Sequence, residues 1–589
     1  MKSRWTLTFT LLMMLLSPCK AFAQWSGGLK ADGSWNFKKN NTENADFKLK
    51  YTGKKYYIGT DIYAGHSFLP SSQMTSIVDA KKEQDEYYKG EIKTMNPKKY
   101  NAGINLDFGY LFNAANTINA SLGYGFNGAN DNSILNTERY RNSDRTTLTG
   151  TQIDTTGSES HKINSKIAYS HQFENRPDAR LDLVLSGLIA LNTDGLRRIT
   201  SGDFYSTPKN YATFSSLNDF NTKLSVSYDD VFQFERGRMK LRTGLDYNTI
   251  QDLDGYSAST YINGHWRDST KYKQSYFYDV HTIEPYANLT YTVGKIEISV
   301  KERVQMFWHT MLDKLDEKKT PEQLSGLFNK FDVRNLLGAG IAYRINERHR
   351  FTLDYDKSIS RPDYKKLCPT MMIGNSDGEY IIGNPELLPE TIETIDIGYT
   401  YSKGIFVTKL DINYRDRRNT AEKVLDIEKS KDISDPGVKT IYSWINNKSQ
   451  DTFGTKLDLK INGENVRADI WSGFNYDVFS TKNEVTKEDF NYELGTSIDV
   501  FLNEETKLSY NLVYLSAKQS AYNLKGEDII ANLRLTRALS KGLELYAEFK
   551  DIADKQIYEE TWNADLNYIK ISATTPMHRA ILLGLNYSF

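Results

Sequence analysis

The 589 residues predict an all-β protein, a transmembrane antiparallel β-barrel of about 22 strands with short periplasmic turns and long extracellular loops. Three observations carry this expectation. The chain ends on a strict two-residue apolar alternation, it begins with an export-type segment, and short and long connections take turns along its length. Composition does not argue against a barrel. Hydrophobic residues make up 39% and mean hydropathy is −0.57, values that suit a chain in which only alternate strand residues meet lipid. No mature segment is apolar for the ~20 residues a spanning helix needs. The net charge of −1 lacks the Lys/Arg excess of a nucleic-acid binder, so no nucleic-acid partner is expected.

The N-terminus carries Lys2 and Arg4, then an apolar run from Trp5 to Leu16, then Ala21-Phe22-Ala23. This reads as a signal peptide over 1–23, cleaved before Gln24. Pro18 before Cys19 disfavours lipidation of that cysteine. Cys368 is then the one mature cysteine, and no internal disulfide is expected. Residues 24–589 read as one barrel domain, with no plug or soluble domain ahead of the first strand.

Along that domain apolar and polar residues alternate. Leu29, Ala31, Trp35 and Phe37 interleave with Lys30, Asp32, Ser34 and Asn36. The pattern is clearest in Ile104, Leu106, Phe108 and Tyr110, followed by Ile118, Ala120, Leu122 and Tyr124, with Asn, Asp, Ser and Gly between. Period two places the two sets on opposite faces, one for lipid and one for a wet interior. Short turns fall near Pro177, Gly237, Gly294, Asn346, Gly404, Gly463, Glu504 and Gly542. Polar loops are expected between the pairs, near 67–101, 128–158, 193–218, 251–274, 309–329, 358–390, 416–438 and 481–487. A sandwich, propeller or solenoid would also alternate, but no repeat consensus is present. Charges such as Lys409 and Asp411 between Thr408, Leu410 and Ile412 suit a watery lumen better than packed sheets.

The last segment, MHRAILLGLNYSF, places Ile581, Leu583, Leu585 and Tyr587 on one face and ends on Phe589. An aromatic C-terminus on such a strand resembles the assembly signal of bacterial outer-membrane barrels. Tyr587 and Phe589 are the residues expected to engage the barrel assembly machinery, with outer-membrane lipid and lipopolysaccharide as surroundings.

Ser358-Ile359-Ser360-Arg361-Pro362 closes one strand, and Gly383-Asn384-Pro385-Glu386-Leu387-Leu388-Pro389-Glu390 opens the next. The pair of motifs, with EFKDIADKQIY at 548–558, resembles the barrel of TonB-dependent receptors, closest to the plug-poor outer-membrane β-barrel relatives of Bacteroidetes-type bacteria. The resemblance implies nutrient or ligand uptake across the outer membrane of a Gram-negative cell. It suits about 22 strands, the count of plugged transporters. The residues themselves read structurally: Pro362, Pro385 and Pro389 stiffen a loop rim, Gly383-Asn384 makes a turn, and Arg361 pairs with Glu390 across the rim. An unfilled barrel of this width is a hole, so inward loops, a separate plug chain or a lipoprotein partner is expected. A scaffold for such a partner and a passive porin are the alternative functions.

No catalytic, cofactor or metal site is expected. The eight histidines lie in no nucleophile–base or zinc motif. The clusters at 130–132, 251–255 and 375–379 read as turns rather than calcium sites. Tyr256, Tyr261, Trp266 and Tyr272, in one expected loop, are candidates for ligand or partner contact, or for an aromatic girdle.

Overall fold

In the computed structural model, 22 antiparallel strands form one closed barrel, in which Trp25–Asn36 pairs with both Asn41–Thr52 and the last strand, Ala580–Ser588. The structure describes residues 25–588 except for short stretches, of which 315–325 and 427–439 are the longest. The signal segment 1–23 and Phe589 lie outside the described residues.

The alternation read from the sequence sets the two faces. In Lys98–Asn113 and Asn116–Arg141, Leu106 stands opposite Leu122 and Phe108 opposite Ala120, while Asn105 meets Gly123 and Asp107 meets Ser121. Ile58, Leu106, Leu122, Ile167 and Leu185 continue one another across five strands and are about half exposed, an apolar belt that only lipid can cover. On the inner face, carboxylates and cations pair along the wall, as in Lys48–Asp61, Lys223–Asp246 and Lys409–Asp411. The inner wall also packs rings onto bare backbone. A Cβ on Gly495 would lie 2.1 Å from the Trp471 ring, so the indole can lie there only over glycine.

On the outer face Tyr247, His281 and Trp308 form a run of stacked rings, with centroids 6.2 and 5.6 Å apart. Amphipathic rings in such a row mark the headgroup level. Membrane crossing therefore occupies the segment between this girdle and the periplasmic turns, about ten residues per strand.

The strands do not stop there. Asn116–Arg141, Thr146–Phe173, Arg176–Ser201, Asn210–Phe234, Gly237–Ile262 and His265–Val293 run 25 to 29 residues. The expected loops at 128–158, 193–218 and 251–274 are thus mostly paired strand. The hairpin inside 251–274 turns on Asn263 and Gly264, both at positive φ (51° and 84°), the geometry of a two-residue hairpin loop. The sequence hid these extensions for a physical reason. Above the membrane both faces meet water, so the ladder continues without an apolar stripe to reveal its period. A buried ion pair braces them: Arg198 Nε donates to Asp154 Oδ1 at 2.7 Å and Nη2 to Oδ2 at 2.9 Å.

The expected loop at 67–101 also holds strands. Ser71–Asp79 and Tyr87–Met95 extend a rim sheet from Asn116–Arg141 through Tyr568–Thr575 and Ile557–Asn563 to Asn523–Lys525. A second small sheet joins the two loops after Ser360 and Arg418: Met371–Ile373, Glu379–Ile382, Thr440–Asn446 and Ala421–Leu425, with one parallel pairing.

Candidate functional site at the mouth of the lumen

The strand His349–Ser360 ends at the motif, and there the chain turns into the barrel instead of along its rim. Asp363 caps a one-turn helix, Tyr364–Leu367, its Oδ1 accepting from the Lys366 amide at 3.0 Å. Tyr364, Leu367, Cys368 and Leu387 then bury against Tyr276, Tyr278, Val280, Phe307 and Met311 on the lumen face of two wall strands. Leu367 is 2% exposed and Met311 fully covered. Burial of three large side chains, at about 1.5–3 kcal/mol each, holds the segment down.

Arg361 is the polar anchor. Its Nε and Nη2 donate to Gln305 Oε1 at 3.1 and 2.8 Å, and Nη1 donates to Asp332 Oδ2 at 3.1 Å. The guanidinium lies 3.7 Å from the Phe307 ring centroid. The expected Arg361–Glu390 pair does not form. Glu390 is bound instead by Arg417 on the neighbouring strand, because Arg361 has left the rim for the lumen wall.

The second half of the motif locks the return path. Asn384 donates its amide to Lys366 O at 2.6 Å and its Nδ2 to Trp444 O at 2.8 Å, and its Oδ1 accepts from the Glu386 amide. Pro385 O accepts from Lys330 Nζ at 3.2 Å. Gly383 has no room for a side chain: a Cβ would sit 2.1 Å from Cys368 O. Leu387 is buried, while Pro362 and Pro389 flank the segment near Ser360 and Glu390, which face each other in the strand pair below. The motif therefore builds an inward segment rather than an exposed rim.

This segment carries the strongest electrostatics of the mouth, all on the extracellular side of the girdle. Tyr364 donates to Asp254 Oδ2 at 2.8 Å, and burial, with Cys368 and Asp254 beside it, pushes the phenol far above its usual range. Asp219 and Asp252 stand directly opposite one another on adjacent strands. Burial, then the charge of Asp219 and the hydrogen bond between them, pushes Asp252 up to about 7, and burial raises Asp219 as well. Two carboxyls this close disfavour carrying both charges at once.

Between the helix and the opposite wall lies a cavity of about 640 Å³, bounded by Lys365 on the segment and by Asn44, Asn101, Asn127, Asn192 and Asp219 on the wall. It is polar, open to the lumen, and rich in groups that both donate and accept hydrogen bonds.

The aromatic candidates divide. Tyr256 is buried, and Tyr261 and Trp266 form an exposed ring pair at the hairpin tip, 5.3 Å apart, with Arg197 over the indole. They stand well above the girdle. Tyr272 falls within His265–Val293, and its side chain lies outside the described residues. Tyr587 is on the lipid face of the closing strand, opposite Leu29 and Leu543. Among the described residues no group of three or more His, Cys, Asp or Glu could hold a metal ion. Sequence reasoning missed Gln305, Phe307, Asp332 and the wall amides. They occupy lumen positions of ordinary alternating strands, and only the register reveals what they face.

The family model described as "Outer membrane protein beta-barrel family" matches residues 191–587. No curated protein matches the chain. Among solved structures, the copper transporter OprC has a TM-score of 0.63 at 11% identity, covering 97% of this chain and 81% of its own. The ferripyoverdine receptor of the Pseudomonas aeruginosa outer membrane, bound to ferripyoverdine, gives 0.62 at 11%, covering 96% and 72%. The siderophore receptor PirA from Pseudomonas aeruginosa gives 0.55 at 12%, covering 96% and 80%. At these identities the likeness is one of fold, and it agrees with the barrel resemblance carried by the two motifs.

Proposed function

The chain belongs to the outer membrane protein beta-barrel family, and from that premise we propose that it recognises a solute outside the cell and passes it across the outer membrane. The observation that carries this reading is the inward segment formed by 361–368 and 383–389. An extracellular loop that docks inside the lumen through a mostly buried arginine and a hydrophobic cluster narrows the mouth and leaves a formed polar cavity beside it. A plain pore needs neither. The wall below offers a second polar cavity of about 820 Å³, where Lys166, Arg180, Lys223 and Arg242 alternate with Asp182 and Asp246. That wall suits passage of a hydrated solute or docking of a separate plug chain. The neighbours' names, a siderophore receptor and a copper transporter, support uptake as the class of activity. Assembly through the terminal strand and Tyr587 by the barrel machinery belongs to the same reading.

The test is depletion of solutes from a defined mixture by cells with and without the barrel. Loss of one solute class on deletion, restored by complementation, is the expected result. Unchanged depletion of every solute, with a lipoprotein co-purifying in fixed ratio, would replace uptake by a scaffold.

A further inference from the structure

The register places the wall amides in one line. Asn44 stands opposite Gly65, Gly65 opposite Asn101, Asn101 opposite Asn127, Asn127 opposite Ser160, and Ser160 opposite Asn192. Six adjacent strands thus contribute one row to the lumen face, crossing the cavity beside Lys365. Five strand-to-strand steps of about 4.8 Å make the row about 24 Å long.

The row is built, not only polar. Asn44 Nδ2 is held by Asp32 Oδ1 at 2.9 Å. Asn192 is fixed from three sides: its Oδ1 accepts from Ser160 at 2.7 Å, and its Nδ2 donates to Leu217 O at 3.0 Å and Asp219 Oδ2 at 3.2 Å. Gly65 is the gap that lets the amides of Asn44 and Asn101 lean together, since a Cβ there would lie within 2.5 Å of both carboxamide oxygens. Asn101 and Asn127, in the middle, are exposed and make no side-chain hydrogen bond to another described residue. One row below, the Tyr63 ring lies over Gly103 and reaches Gly125, a flat aromatic shelf under the open amides.

We propose that this row binds a linear, neutral oligosaccharide, laid across the strands with its hydroxyls on the amides and the apolar face of a ring on Tyr63. The proposal deepens the uptake reading and rests on it. Asn101 and Asn127 each offer a donor and an acceptor, as hydroxyl pairs require, and are themselves uncharged; the charges lining the cavity are of both signs, Lys99 and Lys365 against Glu159, Asp194 and Asp219. The spacing selects the class. A chain of six-membered rings bridged by single oxygens repeats on nearly the strand spacing, whereas an extended peptide steps at about 3.3 Å and loses register within two strands.

The experiment presents the detergent-purified, full-length barrel to an array of neutral linear oligosaccharides of two to eight rings, with alanine oligopeptides of matching length. Affinity is expected to rise with ring number up to about five, the number of steps in the row, and then to level off. Asn101→Leu with Asn127→Leu is expected to weaken binding at least tenfold, while Asn413→Leu on the far lumen wall leaves it unchanged; heat-modifiable migration shows that each variant is folded. No saccharide binding by folded barrel, stronger binding of the peptides, or equal loss with Asn413→Leu overturns the proposal. Cell depletion assays keep the two ideas apart. Loss of another solute class on deletion leaves uptake standing and removes the saccharide.

Discussion

Replacing Arg361 by alanine tests whether the inward segment is held as described. Arg361 is 15% exposed, makes three hydrogen bonds to Gln305 and Asp332, and stacks on Phe307. A charge-assisted bond in such a place contributes about 1.5–3 kcal/mol. The ring contact adds roughly 1 kcal/mol. Asp332 keeps Arg334 as partner, so the orphaning penalty is small. The variant should lose about 3–4 kcal/mol of docking, or two to three powers of ten in local opening at about 1.4 kcal/mol per decade. Hydrogen exchange of the Cys368 and Asn384 amides, bonded to Tyr364 O and Lys366 O, reads that opening directly. Exchange accelerated by about a hundredfold or more, with barrel-strand amides unchanged, is the expected outcome. Arg361→Lys should recover little, since an ammonium cannot reproduce the planar fork. Unaltered exchange in folded Arg361→Ala would refute the anchoring role.

Other perturbations give independent checks. Gly383→Ala drives a Cβ into the Cys368 carbonyl and should open the same amides by a cost of about 2 kcal/mol or more; wild-type protection in this variant would contradict the packing. Asp252, raised to about 7 from 3.8, contributes stability that is complete below its unfolded value and is lost as pH rises through about 7. The melting temperature of the reconstituted barrel should therefore fall between pH 5 and pH 8, and Asp252→Asn should flatten that fall. Asp154→Ala leaves the Arg198 guanidinium, 2% exposed, without its carboxylate and should cost about 3–5 kcal/mol. Because the pair braces extracellular extensions, limited proteolysis should cut the hairpins of 116–201 while the membrane part of the barrel survives.

Much of the barrel was legible because lipid enforces the period of two. Leu106, Leu122 and Ile167 announce their face, and the short turns announce the periplasmic end. Once the strands leave the membrane that constraint lapses, and 251–274 reads as a loop although Asn263-Gly264 closes a ladder there. The motif around Arg361 and Asn384 stood out in the sequence, but its direction did not. An arginine after a strand is compatible with a rim pair to Glu390 and with a lumen pair to Asp332, and only three-dimensional proximity separates them. The amide row was invisible for a related reason. Its members are 21 to 36 residues apart in the chain, one per strand, and each alone is an ordinary lumen residue.

Single-channel conductance of the purified barrel in a planar bilayer, native and with 362–388 replaced by a short Gly/Ser linker, addresses the central claim most directly. The native chain should give a small or intermittent conductance, and the barrel without the segment a large, steady one. Equal conductance from the two would show that the segment does not govern the mouth, and the case for a recognising, gated passage would fall with it.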